Sequence, residues 1–232
     1  MTAAGRPPVR WWGRVPFGAA VERQRALRDA LISGDGAEQI TALEHDPVIT
    51  TGRRMALDPD TRAALEARGL PVISTDRGGL ATWHGPGQLV IWPLVHLGRR
   101  GLGARGFVEL LEAVVIAWAR AQGALADRRP DLPGVWVGHD KLAAVGLHIA
   151  HGVSLHGLAV NLGPDLCGYT GFTPCGVTEG GVTSLRALGL RVPEMAEAAV
   201  SLGGALAGAL AGPAGRAPEV ERGRLDAPGG SG

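Results

Sequence analysis

Lysine is almost missing from this chain. Of 23 basic residues, 22 are arginine and one, Lys141, is lysine. A general bias toward arginine explains the trend but not its exception. Arginine supplies charge on any surface yet cannot give up its proton, whereas a lysine amine can when it is desolvated. Position 141 therefore reads as one that needs a titratable amine; a charge that blocks edge-to-edge strand pairing is the bland alternative. Cysteine is scarce too, with Cys167 and Cys175 alone. Two are too few for a thiolate zinc site, and neither His-Glu-x-x-His nor Cys-x-x-Cys occurs, so no metal is expected. The formal net charge is only +1, without the basic excess that a nucleic acid or bilayer partner would call for. No long apolar run is present: the longest, residues 107–118, carries Glu109 and Glu112 and falls short of the ~20 residues of a membrane span. Arg6, Arg10 and Arg14 interrupt any signal-peptide core. A soluble, cytoplasmic monomer is expected.

Glycine and proline, in contrast, are plentiful, at 37 and 16 of 232 residues, which predicts many loops on one core. Residues 1–15 and 213–232 read as tails, the second rich in Pro and ending Gly-Gly-Ser-Gly. The expected domain is 16–212, with 213–232 a flexible C-terminal tail. Apolar periodicity predicts helices over 17–33, 60–68 (capped by Asp58 or Asp60), 107–122, 183–188 and 194–210. Strands are predicted over 48–51, 72–74, 88–97, 135–137, 141–150 and 153–162. The fold class is α+β, a mixed sheet covered by helices.

Three stretches carry chemistry. Residues 77–88 read Arg-Gly-Gly-Leu-Ala-Thr-Trp-His-Gly-Pro-Gly-Gln; paired glycines let a backbone approach a ligand closely, and His84 offers a hydrogen bond beside a reacting centre. The run is neither a P-loop nor Gly-x-Gly-x-x-Gly. Gly134-Val135-Trp136 precedes Lys141, which opens an apolar strand where desolvation would lower an amine's pKa. In Thr173-Pro174-Cys175-Gly176, Pro174 stiffens the turn. Gly176 leaves a free N–H beside the sulfur, which suits a presented nucleophile with an oxyanion donor nearby. Cys167, between Leu166 and Gly168, looks like an ordinary small apolar residue.

Together these residues resemble the lipoyl(octanoyl) transferase family of the biotin/lipoate–protein ligase superfamily. The family signature Arg-Gly-Gly-x-x-Thr-aromatic-His-x-x-Gly-Gln is met from Arg77 to Gln88, and the likeness extends through His156-Gly157, Asn161, Pro174-Cys175-Gly176 and Val182-Thr183-Ser184-Leu185. Trp92 departs from the tyrosine the family often has there. The resemblance implies the ligase-type catalytic domain, with a mixed, mostly antiparallel sheet flanked by helices. It implies octanoyl transfer from acyl carrier protein to a lysine of the lipoyl domains of 2-oxoacid dehydrogenase complexes and of glycine cleavage H protein. By the same resemblance Cys175 is the nucleophile and Lys141 its partner. Arg77, Gly78, Gly79, Leu80, Ala81, Thr82, Trp83 and His84 would bind substrate, with Ala144, Val145 and Gly146 and with Gly157, Leu158 and Ala159. No cofactor is implied, because the donor is already a thioester.

The chemistry is coherent on its own terms. A free thiol titrates at roughly 8.5, so a nearby ammonium on Lys141 would favour the thiolate that forms an acyl-enzyme. The acceptor lysine, at roughly 10.4, must then lose a proton; Lys141 is the first candidate base and His84 the second. Three other readings stay open: an ATP-dependent lipoate–protein ligase, a cysteine hydrolase using Cys175, a histidine and Asn161, and a non-catalytic module that binds carrier domains. Arg53-Arg54 and Arg99-Arg100 with Arg105 are candidate docking clusters for acidic carrier domains.

Overall fold

The computed structural model describes residues 5–54, 56–129, 132–174 and 180–212. In chain order its strands are β1 (Val9–Arg14), β2 (Gln39–Glu44), β3 (Val48–Thr51), β4 (Val72–Ser74), β5 (Thr82–His84), β6 (Gln88–Leu94), β7 (Ala126–Arg129), β8 (Leu132–Val137), β9 (Asp140–Ala150) and β10 (Val153–Asn161). Its helices are α1 (Phe17–Ser33), α2 (Pro59–Ala67), α3 (Ala104–Ala121) and α4 (Met195–Ala211), with 3-10 turns at Leu97–Arg100 and Leu166–Tyr169.

A seven-stranded sheet runs in the order β1-β2-β6-β10-β9-β8-β7, and every pairing in it is antiparallel except β1 with β2. All residues of β6 and β10 are buried, as central strands covered on both faces must be. Alternate residues divide between the faces: Leu89, Ile91, Leu158 and Val160 meet α3 and α4, while Val90, Trp92 and Ala159 meet Phe17 and Ala20 of α1. α3 is the most apolar-faced helix, with Phe107, Leu111, Val115, Trp118 and Ala119 against the sheet. A second sheet, β4-β3-β5, packs with Leu65 of α2 and Tyr169. The architecture is thus the α+β type expected, a mixed and mostly antiparallel sheet flanked by helices.

Several local expectations need correction. The stretch read as an N-terminal tail supplies β1, whose Val9 would meet a Cβ on Gly203 at 2.7 Å, so strand and α4 are in direct contact. Residues 183–188 are not helical. Val182 bridges Lys141, the Thr183 N–H donates to Lys141 O (3.0 Å), and the Leu185 N–H donates to Asn161 O (3.2 Å); these long-range bonds outcompete a short helix. Strand β6 ends at Leu94, before the turn at Leu97–Arg100. Arg100 is buried, paired with Glu38 and donating to the carbonyls of Leu210 and Gly5. It is a structural brace, not a member of the surface docking cluster expected with Arg99 and Arg105. Residues 213–232 lie outside the described residues.

Candidate active site

Lys141 owes its direction to an irregularity in the sheet. Val135 pairs with Ala143 and Trp136 with Lys141, so three residues of β9 oppose two of β8, a bulge. Leu142 and Ala143 both join the core under α3, and Lys141 and Ala144 both face a cleft of about 880 Å³. Without the extra residue, alternation would put Lys141 and Ala144 on opposite faces. The lysine is 5% exposed. Its stem passes Gly134, and its Nζ lies 4.6 Å above the Trp136 ring, an attractive contact for an ammonium. Gly134 is fixed in turn: φ is +125°, and its N–H donates to Glu112 Oε1 at 2.8 Å. The Gly134-Val135-Trp136 motif is therefore the cradle of the lysine stem. The segment that resumes at Gly180 is tied to the same place, because the Lys141 N–H donates to Gly181 O at 2.9 Å. Cys175 lies outside the described residues.

The cleft floor is made of small side chains. Ala144 and Gly146 of β9 lie beside Ala159 and Gly157 of β10. At Gly157 a Cβ would fall 2.0 Å from Ile91 O, so no larger residue fits between β10 and β6. The roof is the loop from Arg77 to Leu80, fastened by Gly78 N–H to Leu147 O at 2.8 Å. Gly146 lies close beneath it, since a Cβ there would meet Arg77 Cδ at 3.1 Å and Gly78 O at 3.2 Å. Arg77 itself donates to Thr50 O (2.7 Å) and Thr50 Oγ1 (2.9 Å). Of the residues expected to bind substrate, Arg77, Gly78, Gly79, Leu80, Thr82, His84, Ala144, Val145, Gly146, Gly157, Leu158 and Ala159 line the cleft; Ala81 and Trp83 do not. The alternation of β5 explains the second case: Thr82 and His84 face the cleft, and Trp83 turns back against Tyr169 and Leu65.

His84 is held, not poised. Nδ1 donates to Gln88 Oε1 at 2.7 Å, and Nε2 faces the Thr50 hydroxyl at 3.3 Å. The Gln88 amide nitrogen bonds Tyr169 Oη (2.8 Å) and Asn161 Oδ1 (3.0 Å), and Asn161 Nδ2 donates to Thr183 O (3.0 Å). A continuous network thus links Arg77 in the roof to the segment beside Lys141. Burial, with the Arg77 charge acting in the same sense, holds His84 well below the ordinary histidine range. Both of its ring nitrogens are occupied in this network, and the lowered pKa makes it a weaker proton acceptor than an ordinary histidine.

Two further groups had no motif to announce them. His45 is wholly buried, edge-on to Phe17 and 5.6 Å from the His84 ring. Its Nδ1 donates to Val15 O at 2.9 Å, and desolvation lowers its pKa to about 4. Asp76, next to Arg77, braces the roof: Oδ1 accepts from His156 Nε2 at 2.7 Å, and Oδ2 lies 2.9 Å from His148 Nδ1 and 3.6 Å from Arg25. Burial pushes the Asp76 carboxyl up, but the two histidines outweigh it and hold the group well below the usual carboxylate range. His156 stands at φ +56° inside a strand, a conformation that costs a non-glycine residue of order 1 kcal/mol or more. Its bond to Asp76 and its N–H to Gln24 Oε1 (3.1 Å) offset that cost and join α1, β10 and the roof loop.

Comparison with known proteins agrees with this geometry. The family profile of the lipoyl protein ligase A/B catalytic domain matches residues 18–206. An octanoyltransferase of Agrobacterium fabrum is 39% identical over 206 residues, covering 82% of this chain and 75% of the relative. One from Chloroflexus aggregans is 41% identical over 192 residues, covering 81% and 87%. Among solved structures, lipoate-protein ligase A bound with ATP superposes with a TM-score of 0.63 at 15% identity, over 89% of this chain and 94% of that one. Biotin protein ligase from Aquifex aeolicus in complex with biotin and ATP gives 0.54 at 14% identity, over 88% and 70%. At such identities the structural likeness speaks for the fold.

Proposed function

Because the chain belongs to the lipoyl protein ligase A/B catalytic-domain family, we propose that it is an octanoyltransferase working through a covalent acyl-enzyme on Cys175. The observation that carries this reading is the pairing of a buried lysine, aimed by a bulge, with a slot floored by alanine and glycine. The donor is octanoyl-acyl carrier protein. The Cys175 thiolate adds to the thioester carbonyl, the C–S bond to the carrier breaks, and the carrier sulfur takes the proton of the Lys141 ammonium and leaves as a thiol, so that Lys141 is neutral for the next step. The neutral amine of a lipoyl-domain lysine then adds to the Cys175 thioester; an amide forms, the Cys175 thiolate departs, and the lysine proton passes to Lys141. Lys141 adjoins the segment just after Cys175 through its bonds to Gly181 and Thr183. The acyl chain lies between the floor, Ala144 and Gly146 with Gly157 and Ala159, and the Arg77–Leu80 roof.

A hydrolase built from Cys175, a histidine and Asn161 is disfavoured, since Asn161 and His84 are committed to the buried network. Two solved neighbours of the same fold, a lipoate-protein ligase A and a biotin protein ligase, hold ATP. Transfer to a lipoyl domain, followed by mass spectrometry, separates the two readings. Octanoyl-carrier protein without ATP should modify the acceptor lysine, and free octanoate with ATP and Mg²⁺ should not. Modification in the second reaction alone would make the protein a ligase.

A further inference from the structure

On the face of the sheet beneath the roof, one cross-strand row runs Ala144, Ala159, Val90, Leu43, each paired with the next through the ladders β9–β10, β10–β6 and β6–β2. Side-chain size rises along it, from one carbon to one, then three, then four. Beyond Val90 the space is filled: Leu43, Val90 and Trp92 form one buried cluster with Phe17 of α1, whose ring stands edge-on to Trp92 at 6.2 Å between centroids. The trough is thus open at Lys141 and Ala144, shallow over Ala159 and Gly157, and stopped at Val90, Trp92 and Phe17.

Resting on the acyl-transfer reading, we propose that Val90, Trp92 and Phe17 are the end stop that sets acyl-chain length. Neighbouring strands are about 4.8 Å apart, so Ala144 to Val90 spans about 10 Å. An extended alkyl chain advances about 1.25 Å per carbon–carbon bond of ~1.5 Å, so seven bonds, an eight-carbon acyl group, cover about 9 Å. A longer chain must displace close-packed rings and strand residues, whereas a shorter one leaves the trough part-filled. The cleft also continues past Ala143, where β9 has left β8, toward Val108, Pro133, Val145 and Ile149 on the α3 side; the acyl chain does not enter this second lobe.

The test uses straight-chain acyl thioesters of six, eight, ten and twelve carbons, following thiol release for the wild type and for Val90→Ala, Ala159→Val and Val108→Phe. Calorimetric binding of the matching free acids runs in parallel and needs no turnover. Val90→Ala should raise the ten-to-eight-carbon ratio by about tenfold or more, the scale of one methylene in an apolar pocket. Ala159→Val should depress eight carbons by a similar factor while six carbons still react. Val108→Phe, on α3 in the second lobe, should leave the profile unchanged. Phe17→Leu, on the helix instead of the sheet, should lengthen the preference as Val90→Ala does and stands in should that variant not fold. An unchanged profile in both Val90→Ala and Phe17→Leu, or one moved by Val108→Phe, overturns the end stop. Wild-type protein that binds the acids with this length dependence yet releases no thiol would leave the end stop standing and sink the transfer reading.

Discussion

Gly134→Ala probes the cradle of Lys141 most sharply. The added Cβ would sit 2.6 Å from Ala143 O and 3.3 Å from Lys141 Cε. The first contact is with backbone in the bulge and cannot be relieved by a rotamer change. In addition, φ of +125° is strained for any residue with a Cβ, at about 1–3 kcal/mol. Adding the overlap gives an expected destabilisation of about 2–4 kcal/mol. The Lys141 amine should be displaced by a fraction of an ångström to 1 Å, enough for a 10- to 100-fold loss of turnover by the usual sensitivity to misplacement. Gly138, in the turn between β8 and β9, is the matched control. It also has positive φ (+60°), but nothing lies within 4 Å of a Cβ there. Gly138→Ala should therefore cost about 1–2 kcal/mol from φ alone and keep full activity. Urea unfolding and single-turnover acyl transfer on both variants give the comparison. Wild-type turnover in folded Gly134→Ala, or equal stability losses in the two variants, would refute the cradle.

Other expectations follow from the same geometry. Lys141→Arg keeps a charge but cannot accept a proton, so single-turnover transfer should fall at least about 100-fold, nearly as far as in Lys141→Ala; near-normal transfer would reduce Lys141 to a charge. His45 is neutral in the fold with a pKa of about 4, whereas the unfolded chain takes up its proton near 6.5. Stability is therefore lost as pH falls from about 6.5 toward 4, by about 2 kcal/mol at pH 5 relative to pH 8 from this group. His45→Leu should flatten that part of the pH dependence of urea unfolding, and an unchanged slope would count against it. Arg53 and Arg54 are exposed at the cleft; reversing both charges should raise KM for a carrier-protein donor and weaken its salt dependence, with a small thioester donor unaffected. Equal losses with both donors would place the two arginines in folding or chemistry instead.

What the sequence revealed depended on the range of the interactions involved. Strands β9 and β10 and helices α1, α3 and α4 are written in local periodicity and were legible to within a few residues. Strand β1 was not, because its arginines and tryptophans gain a strand's role only from pairing with β2. Likewise, Thr183 and Ser184 look helical until their backbone partners across the sheet are known. The lone lysine marked a special position, but the bulge that aims it is a matter of register between β8 and β9, invisible in either strand alone. Arg100 read as surface charge because its partners, Glu38 and the end of α4, are distant in sequence. Asp76 offered a weak signal, an acid directly before Arg77-Gly78-Gly79. His45 offered none.

The central claim is a covalent intermediate, and intact mass of the protein after incubation with octanoyl-acyl carrier protein, without ATP, addresses it directly. The account predicts a single octanoyl adduct, acid-stable and labile to hydroxylamine, that maps to Cys175, vanishes in Cys175→Ala and persists in Cys167→Ala. An adduct that survives in Cys175→Ala, or acceptor lysine modified at the wild-type rate by that variant, would contradict it.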